Sequence, residues 1–301
     1  MYLDKVQEKK KNFRSYEQIS GIIMSITPVL GFVIFGLIPM ILAIYMAFCD
    51  IKGFNILSAT PTEEFASNFI FVFKDPEFWK SLWNTIIFAI SLPICLVISL
   101  TISYLLTKKI KGKKIFRTIY FIPYVCSIVA VVLMWKWIFN PTYGVLNGIL
   151  GTEYNWLGEN HLFRTVVIVM GVWGGCGYQI ILYSAALTNI NPSLYEAAKI
   201  DGANAFQCFR HVTLPGVSPT TFYLFITGLI GALQTFASTQ VLDSNGGPNN
   251  VGVTVGFYLY RYAFSYFRMG IASATAWVLA GVIMIITIFN FIGSRKWVSY
   301  D

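Results

Sequence analysis

Asn191-Pro-Ser-Leu-Tyr-Glu-Ala-Ala-Lys-Ile-Asp-Gly-Ala-Asn-Ala-Phe-Gln-Cys-Phe-Arg-His-Val-Thr-Leu-Pro-Gly-Val-Ser-Pro219 lies between two long apolar runs. Its residues spell a helix, a turn and a second helix. Asn191 suits a helix cap and Pro192 the first helical position. Glu196 lies near the positive end of the helix, and Ala197 and Ala198 are strong, unbulky helix formers. Gly202 is free to take the left-handed conformation that ends a helix. The second helix is expected to run to about His211, with Leu214-Pro215 breaking it and Pro219 opening the next apolar run. Such a short amphipathic helix either docks into a groove of a soluble partner or is an ordinary surface hairpin. These residues alone leave both readings open.

Working outward, the apolar runs on either side repeat along the chain. Of 301 residues, 56% are hydrophobic and only 12% charged, against about 25% charged in an ordinary soluble domain. Spans are expected near 22–48, 82–106, 118–139, 162–189, 219–242 and 269–293. Each approaches or exceeds the roughly 20 residues that cross a hydrocarbon core. Alternating polar and apolar residues, the mark of a membrane barrel, are absent. The expected fold is therefore an all-α integral membrane domain over 21–293, between a basic segment 1–20 and a tail 294–301. The first run follows basic residues, but at Ile22–Phe48 it exceeds the apolar core of a signal peptide, so it reads as a retained helix.

Orientation follows from the cations. Placing both termini in the cytoplasm puts fifteen of the 22 Lys and Arg inside, namely Lys5, Lys9, Lys10, Lys11, Arg14, Lys108, Lys109, Lys111, Lys113, Lys114, Arg117, Lys199, Arg210, Arg295 and Lys296. The net charge of +8 thus reads as a topology signal, not as a nucleic-acid surface. Asp50, Glu63, Glu64, Asp75, Glu77, Glu153, Glu159 and Asp243 fall outside. The outer loop at about 50–80 is expected to hold a short interfacial helix. Cys49, Cys95, Cys126, Cys176 and Cys208 are scattered and read as small core hydrophobes, with no metal pair among them. Trp135 and Trp137 read as interfacial anchors, and Arg261 and Arg268 as solvated surface.

Glu196-Ala-Ala-x-x-Asp201-Gly202-Ala203, followed by Phe209, Leu214-Pro215 and Pro219, resembles the EAA loop of type I ABC importer permeases at every signature position. Gly112-Lys-Lys-Ile-Phe-Arg117, Phe121-Ile-Pro-Tyr124, Trp135-Lys-Trp-Ile-Phe-Asn-Pro141, Tyr143-Gly-Val-Leu-Asn147, Asn155-Trp-Leu-Gly158 and Asn245-Gly-Gly-Pro248 resemble the sugar permeases of the maltose, glycerol-phosphate and raffinose-type systems. The resemblance covers almost all of 20–293. It implies a non-catalytic, multi-pass subunit of the bacterial cytoplasmic membrane that carries a sugar or oligosaccharide by ATP-driven alternating access. The implied partners are a second permease, two ATPase subunits and an extracellular sugar-binding protein. ATP and Mg would sit on the ATPases, since this chain has no phosphate-binding Gly-x-x-x-x-Gly-Lys-Ser/Thr and is not expected to be an enzyme. The loop 190–218 would be the coupling element, with Glu196, Ala197 and Ala198 meeting the ATPase, Asp201, Gly202 and Ala203 forming the turn, and Phe209, Leu214 and Pro215 setting the second helix.

A path through the membrane needs polar and aromatic side chains that lipid does not favour. Trp173, Gly175, Tyr178 and Gln179 in the fourth span, and Gln234, Phe236 and Ser238 in the fifth, are the candidates. Small residues also serve as packing between membrane helices, and Gly174 and Gly175 fit that role as well. The maltose permease builds its site in the same two spans; Tyr178 matches a tyrosine there, whereas that protein's asparagines in the fifth span have no counterpart here. The alternatives are an ABC permease for an amino acid, peptide or phosphate, and an ion-coupled carrier, which would need acids inside the spans.

Overall fold

Backbone N–H and C=O groups taken out of water must pair with one another, and in a long apolar run the α-helix does this within the segment. The computed structural model describes residues 20–51, 53, 55, 59–62, 64–107 and 111–299. The basic N-terminal segment, Glu63, Lys108, Lys109 and residues 300–301 lie outside the described residues. The long helices are α1 (Ser20–Ala47), α3 (Pro76–Ala89) continuing into α4 (Ser91–Thr107), α8 (Asn160–Asn189) and α14 (Met269–Ser294). These four are each long and apolar enough to cross a membrane, and two bent helix pairs bring the number to six if each pair is one span. A short antiparallel pair, Cys49–Asp50 with Thr60–Pro61, and the helix α2 (Ser67–Lys74) fill the segment between α1 and α3.

Three sequence expectations change. The second span starts at Pro76 instead of near 82, because Asp75 caps it, accepting from the Glu77 N–H at 2.9 Å. The third, expected as one run over 118–139, is two helices, α5 (Lys113–Val125) and α6 (Ile128–Ile138), at 99° to each other. Pro123 inside α5 has no N–H to donate, and the helix stops two residues later at an extended Cys126. The fifth, expected to reach 242, ends as α11 (Ser218–Leu233) at Leu233 and resumes after a break as α12 (Ala237–Leu242). The break is chemically closed: Thr254 donates to the Thr235 carbonyl at 2.6 Å, and Thr239 to that of Phe236 at 2.9 Å.

The tightest pairing in the bundle is α4 against α8, with α5 on the other flank of α8. It is close because one partner contributes glycine and the other small hydroxyls. Ser99 and Ser103 of α4 donate to the carbonyls of Cys176 and Ile180, at 3.4 and 3.0 Å. Gly177 sits so near α5 that a Cβ there would collide with the Tyr120 carbonyl oxygen. Cys95 and Cys176, distant in sequence, meet here with sulfurs 3.3 Å apart, so two of the cysteines do form a pair.

At the end of the bundle away from the hairpin, α3 organises the chain between α12 and α14. Fully buried Asn84 donates to the carbonyls of Asn250 and Val253, both at 3.0 Å, and accepts from Arg164 at 3.0 Å. Thr85 accepts from the Val255 N–H at 3.0 Å. Asp75 accepts from Tyr258 and Tyr262, at 2.7 and 3.1 Å. Burial, with the Asp75 carboxylate beside it, pushes the Tyr262 phenol up to about 12, and Tyr258 is raised further for the same reasons, so both remain donors at neutral pH. Arg261 is not solvated surface: it pairs with Glu77 at 3.0 Å, donates to the Asn245 carbonyl at 2.6 Å and lies over the Phe257 ring. Asn147 uses its whole amide, donating to the carbonyls of Pro141 and Tyr154 and accepting from Thr152 and Trp156. Trp135 is packed against Phe139 and Trp173, so it is a core side chain, while Trp137 is exposed as an anchor would be.

The Gly177 contact gives a stability test. Gly177→Ala should force α5 and α8 apart and cost about 1–3 kcal/mol, read as a lower melting temperature of the detergent-solubilised protein. Gly174→Ala, with no atom within 4 Å of the added Cβ, should not lower the melting temperature and should raise it slightly, since Ala favours a helix interior by about 0.5–1 kcal/mol.

Candidate functional site

Where the two helix breaks face the glycine run of α8, the bundle encloses a cavity of about 320 Å³. The α5–α6 elbow supplies Tyr124 and Cys126, the α11–α12 break supplies Thr235 and Ser238, and α8 supplies Gly171, Gly174 and Gly175. Phe88 and Ser91 from α3 and α4, and Met170 from α8, complete much of the wall. Each break exposes backbone that lipid would not solvate, and a cavity walled by protein is the setting in which such breaks are stable. The geometry follows from sequence: Pro123 ends α5 where it does, and the glycines of α8 leave room that side chains would fill.

The residues expected along a path divide into several groups. Gly175 and Ser238 line the cavity. Tyr178 stands next to it in an aromatic run, stacked on Tyr124 with centroids 5.1 Å apart and its hydroxyl 3.4 Å from that of Tyr223. Gln234 is exposed at the end of α11. Trp173 does not join them; it faces a separate apolar groove of about 700 Å³ with Ile94, Ile98 and Ile119. Gln179 is buried, with its carbonyl oxygen unpaired. Phe236 packs on Phe257 and Tyr260 in the core. Successive helical residues point about 100° apart, which is why Tyr178 and Gln179 part company. Packing explains Gly175, where an added Cβ would come within 3.2 Å of the Cys95 sulfur, but not Gly174.

Sequence reasoning missed Tyr124, Tyr223 and Ser91 as neighbours of this site. The signal for Tyr124 was present: a proline inside an apolar run marks a break, and residues beside a break face the space it opens. Nothing local pointed to Tyr223 or Ser91.

The hairpin is the second candidate. α9 (Pro192–Ile200) is capped by Asn191, whose side chain accepts from Ser193 N–H at 3.0 Å. It ends with Gly202 at φ +76° and bonds from the N–H groups of Gly202 and Ala203 back to Lys199 and Ala198, at 3.1 and 2.9 Å. This pairing is the Schellman motif. α10 (Ala205–Gly216) opens with a reciprocal cap, Asn204 and Gln207 each bonding the other's backbone N–H, at 2.9 and 2.8 Å. Leu214-Pro215 does not break it. Phe209–Thr213 winds as a π-turn, the helix continues to Gly216, and the 61° bend into α11 comes at Val217.

Tyr195 bonds Thr213 at 3.0 Å, and Tyr104 of α4 meets Phe209 edge-on at 5.1 Å, so the hairpin is fastened to the bundle. Glu196, Ala197, Lys199 and Asp201 are exposed, while Ala198 and Ala203 are half-buried. Beside Glu196 the hairpin exposes Ile200 and Phe206, 86% and 69% accessible. A charged residue among large exposed apolar side chains is a composition that suits a docking surface.

Residues 99–298 match the model of the family described as binding-protein-dependent transport system inner membrane component. The diacetylchitobiose uptake system permease protein of Streptomyces coelicolor is 34% identical over 289 residues, covering 89% of this chain and 80% of that protein. Among solved structures, a chain of a bacterial ABC transporter involved in importing the acidic polysaccharide alginate superposes with a TM-score of 0.79 at 27% identity, over 91% of this chain and 94% of that one. A second structure of the alginate transporter, in complex with its alginate pentasaccharide-bound periplasmic protein, gives 0.77 at 27% identity, over 91% and 93%.

Removing the reciprocal cap tests the hairpin geometry. Asn204→Ala should cost about 1 kcal/mol locally. Hydrogen exchange should then show roughly a fivefold loss of protection at the Gln207 amide, with the amides of α8 unaffected.

Proposed function

Because this chain belongs to the family of binding-protein-dependent transport system inner membrane components, we propose that it is the permease subunit of a bacterial ABC importer for a sugar or oligosaccharide. It is a membrane protein and a transport subunit. Its six spans put both termini in the cytoplasm, with each bent pair counted as one crossing. The observation that carries the reading is a glycine-lined cavity at two helix breaks in the same chain as an exposed, rigidly capped hairpin. The uptake role of the Streptomyces relative and the alginate transporter's fold point the same way.

In this proposal the labour divides as in a binding-protein-dependent transport system. A second permease completes the path, a binding protein delivers the sugar from outside, and two ATPase subunits hold ATP and Mg. Glu196, Ile200 and Phe206 dock on one ATPase. Gly202 keeps the hairpin from unwinding, so a push on α9 moves α10 with it. Tyr104 with Phe209, and Tyr183 of α8 with Thr221 of α11 at 3.1 Å, carry that displacement into the helices that wall the cavity. Tyr124, Tyr178 and Tyr223 offer the sugar's C–H faces aromatic surface, and Ser238, Thr235 and Ser91 offer its hydroxyls partners. Trp173, Gln179 and Phe236 support the wall instead of touching the cargo.

Glu196→Lys reverses the charge at the docking surface without burying anything. Juxtaposed like charges across an interface cost several kcal/mol, so sugar uptake by cells should fall at least tenfold. The variant's abundance in membranes should be unchanged, and less ATPase should co-purify with it. Wild-type uptake together with wild-type ATPase recovery would remove the hairpin from the coupling role.

A further inference from the structure

The cavity is lined by hydroxyls, aromatic rings, aliphatic side chains, glycines and one thiol, and no charged side chain is among its lining residues. Arg164 donates to Asn84, and Arg261 pairs with Glu77 and the Asn245 carbonyl, so both are committed elsewhere. An anionic group brought out of water needs a cation or several donors, and without them it is strongly disfavoured. Here Tyr124 and Ser238 offer hydroxyl donors, while Thr235 gives its proton to the Gly231 carbonyl at 3.3 Å and so accepts, a mixture that suits the two-way hydrogen bonding of sugar hydroxyls. Ser91 directs its proton to the Phe88 carbonyl at 2.7 Å, so its free lone pairs accept. Phe88, Met170 and the ring of Tyr124 supply apolar surface for C–H faces.

We infer that the cargo is an uncharged carbohydrate, with no carboxylate, sulfate or phosphate, in contrast to the acidic polysaccharide of the structurally similar alginate transporter. This rests on the importer reading above and deepens it. No charged side chain lines the cavity to meet a carboxylated or phosphorylated sugar, whereas its hydroxyls and rings suit a neutral one.

The test is uptake by cells that carry the complete system, with this chain deleted and then restored. The panel is radiolabelled neutral disaccharides and oligosaccharides, uronic-acid oligosaccharides and sugar phosphates. Restored uptake confined to neutral sugars is the expected result. Restored uptake of a uronate or a sugar phosphate overturns the inference and leaves the importer reading standing. If no carbohydrate depends on the chain, both fall. A second measurement places the effect at the cavity. Ser238→Arg should lower uptake at least tenfold, while Ser238→Gln, neutral and nearly as long, should retain it within a few-fold, with ATPase co-purifying in both cases. Equal loss in the two variants, or full uptake by the arginine variant, would overturn the inference.

Discussion

Everything in this chain answers to one constraint: a peptide group removed from water must find its partner inside the protein. Uninterrupted helices satisfy it by themselves, and α8 and α14 do so over 30 and 26 residues. The constraint becomes informative where helices stop. At the α11–α12 break Thr254 answers the Thr235 carbonyl, while that of Phe236 takes the Gln240 N–H of the next helix as well as the Thr239 hydroxyl. The α5–α6 elbow faces the same cavity. An interruption tolerated twice, at one place, indicates a space that the fold keeps open.

The rest of the architecture holds that space still. On one side the Ser99 and Ser103 hydroxyls pin α4 to α8 while Gly177 lets α5 approach, so three helices move as one wall. On the other, Asn84, Thr85, Asp75 and Glu77 of the α3 region bind the loop that returns from α12, giving the broken span a fixed far end. These bonds are short and shielded, and buried polar groups are worth most when every member is satisfied. The hairpin is fixed differently, by caps and a left-handed glycine, because it stands in the open where burial contributes little.

In the proposed importer, α4, α8 and α11 join the hairpin to the cavity wall. The hairpin leaves apolar side chains uncovered, and the cavity lies beyond a 61° bend from it. Within the hairpin the Gly202 turn is closed by the Schellman bonds and the start of α10 by its reciprocal cap.

What the sequence determined by itself is what depends on neighbours along the chain. Helical runs need only apolar length, so most span positions were legible. The Asn191 cap, Pro192 and Gly202 were legible because caps and left-handed turns are set within a few residues. The hairpin's family likeness came from the same short stretch. Tertiary structure decided whatever depends on residues meeting across helices. Leu214-Pro215 reads locally as a break, but a π-turn upstream absorbs the missing N–H and the helix continues. Gln179 and Tyr178 look alike beside a glycine run, yet one turns into the packed interior and the other to the aromatic face. Cys95 and Cys176, Arg261 and Glu77, and Tyr178 with Tyr124 and Tyr223 are pairings across long stretches of chain. No local pattern specifies them, because which faces of helices meet is settled by packing the whole set at once.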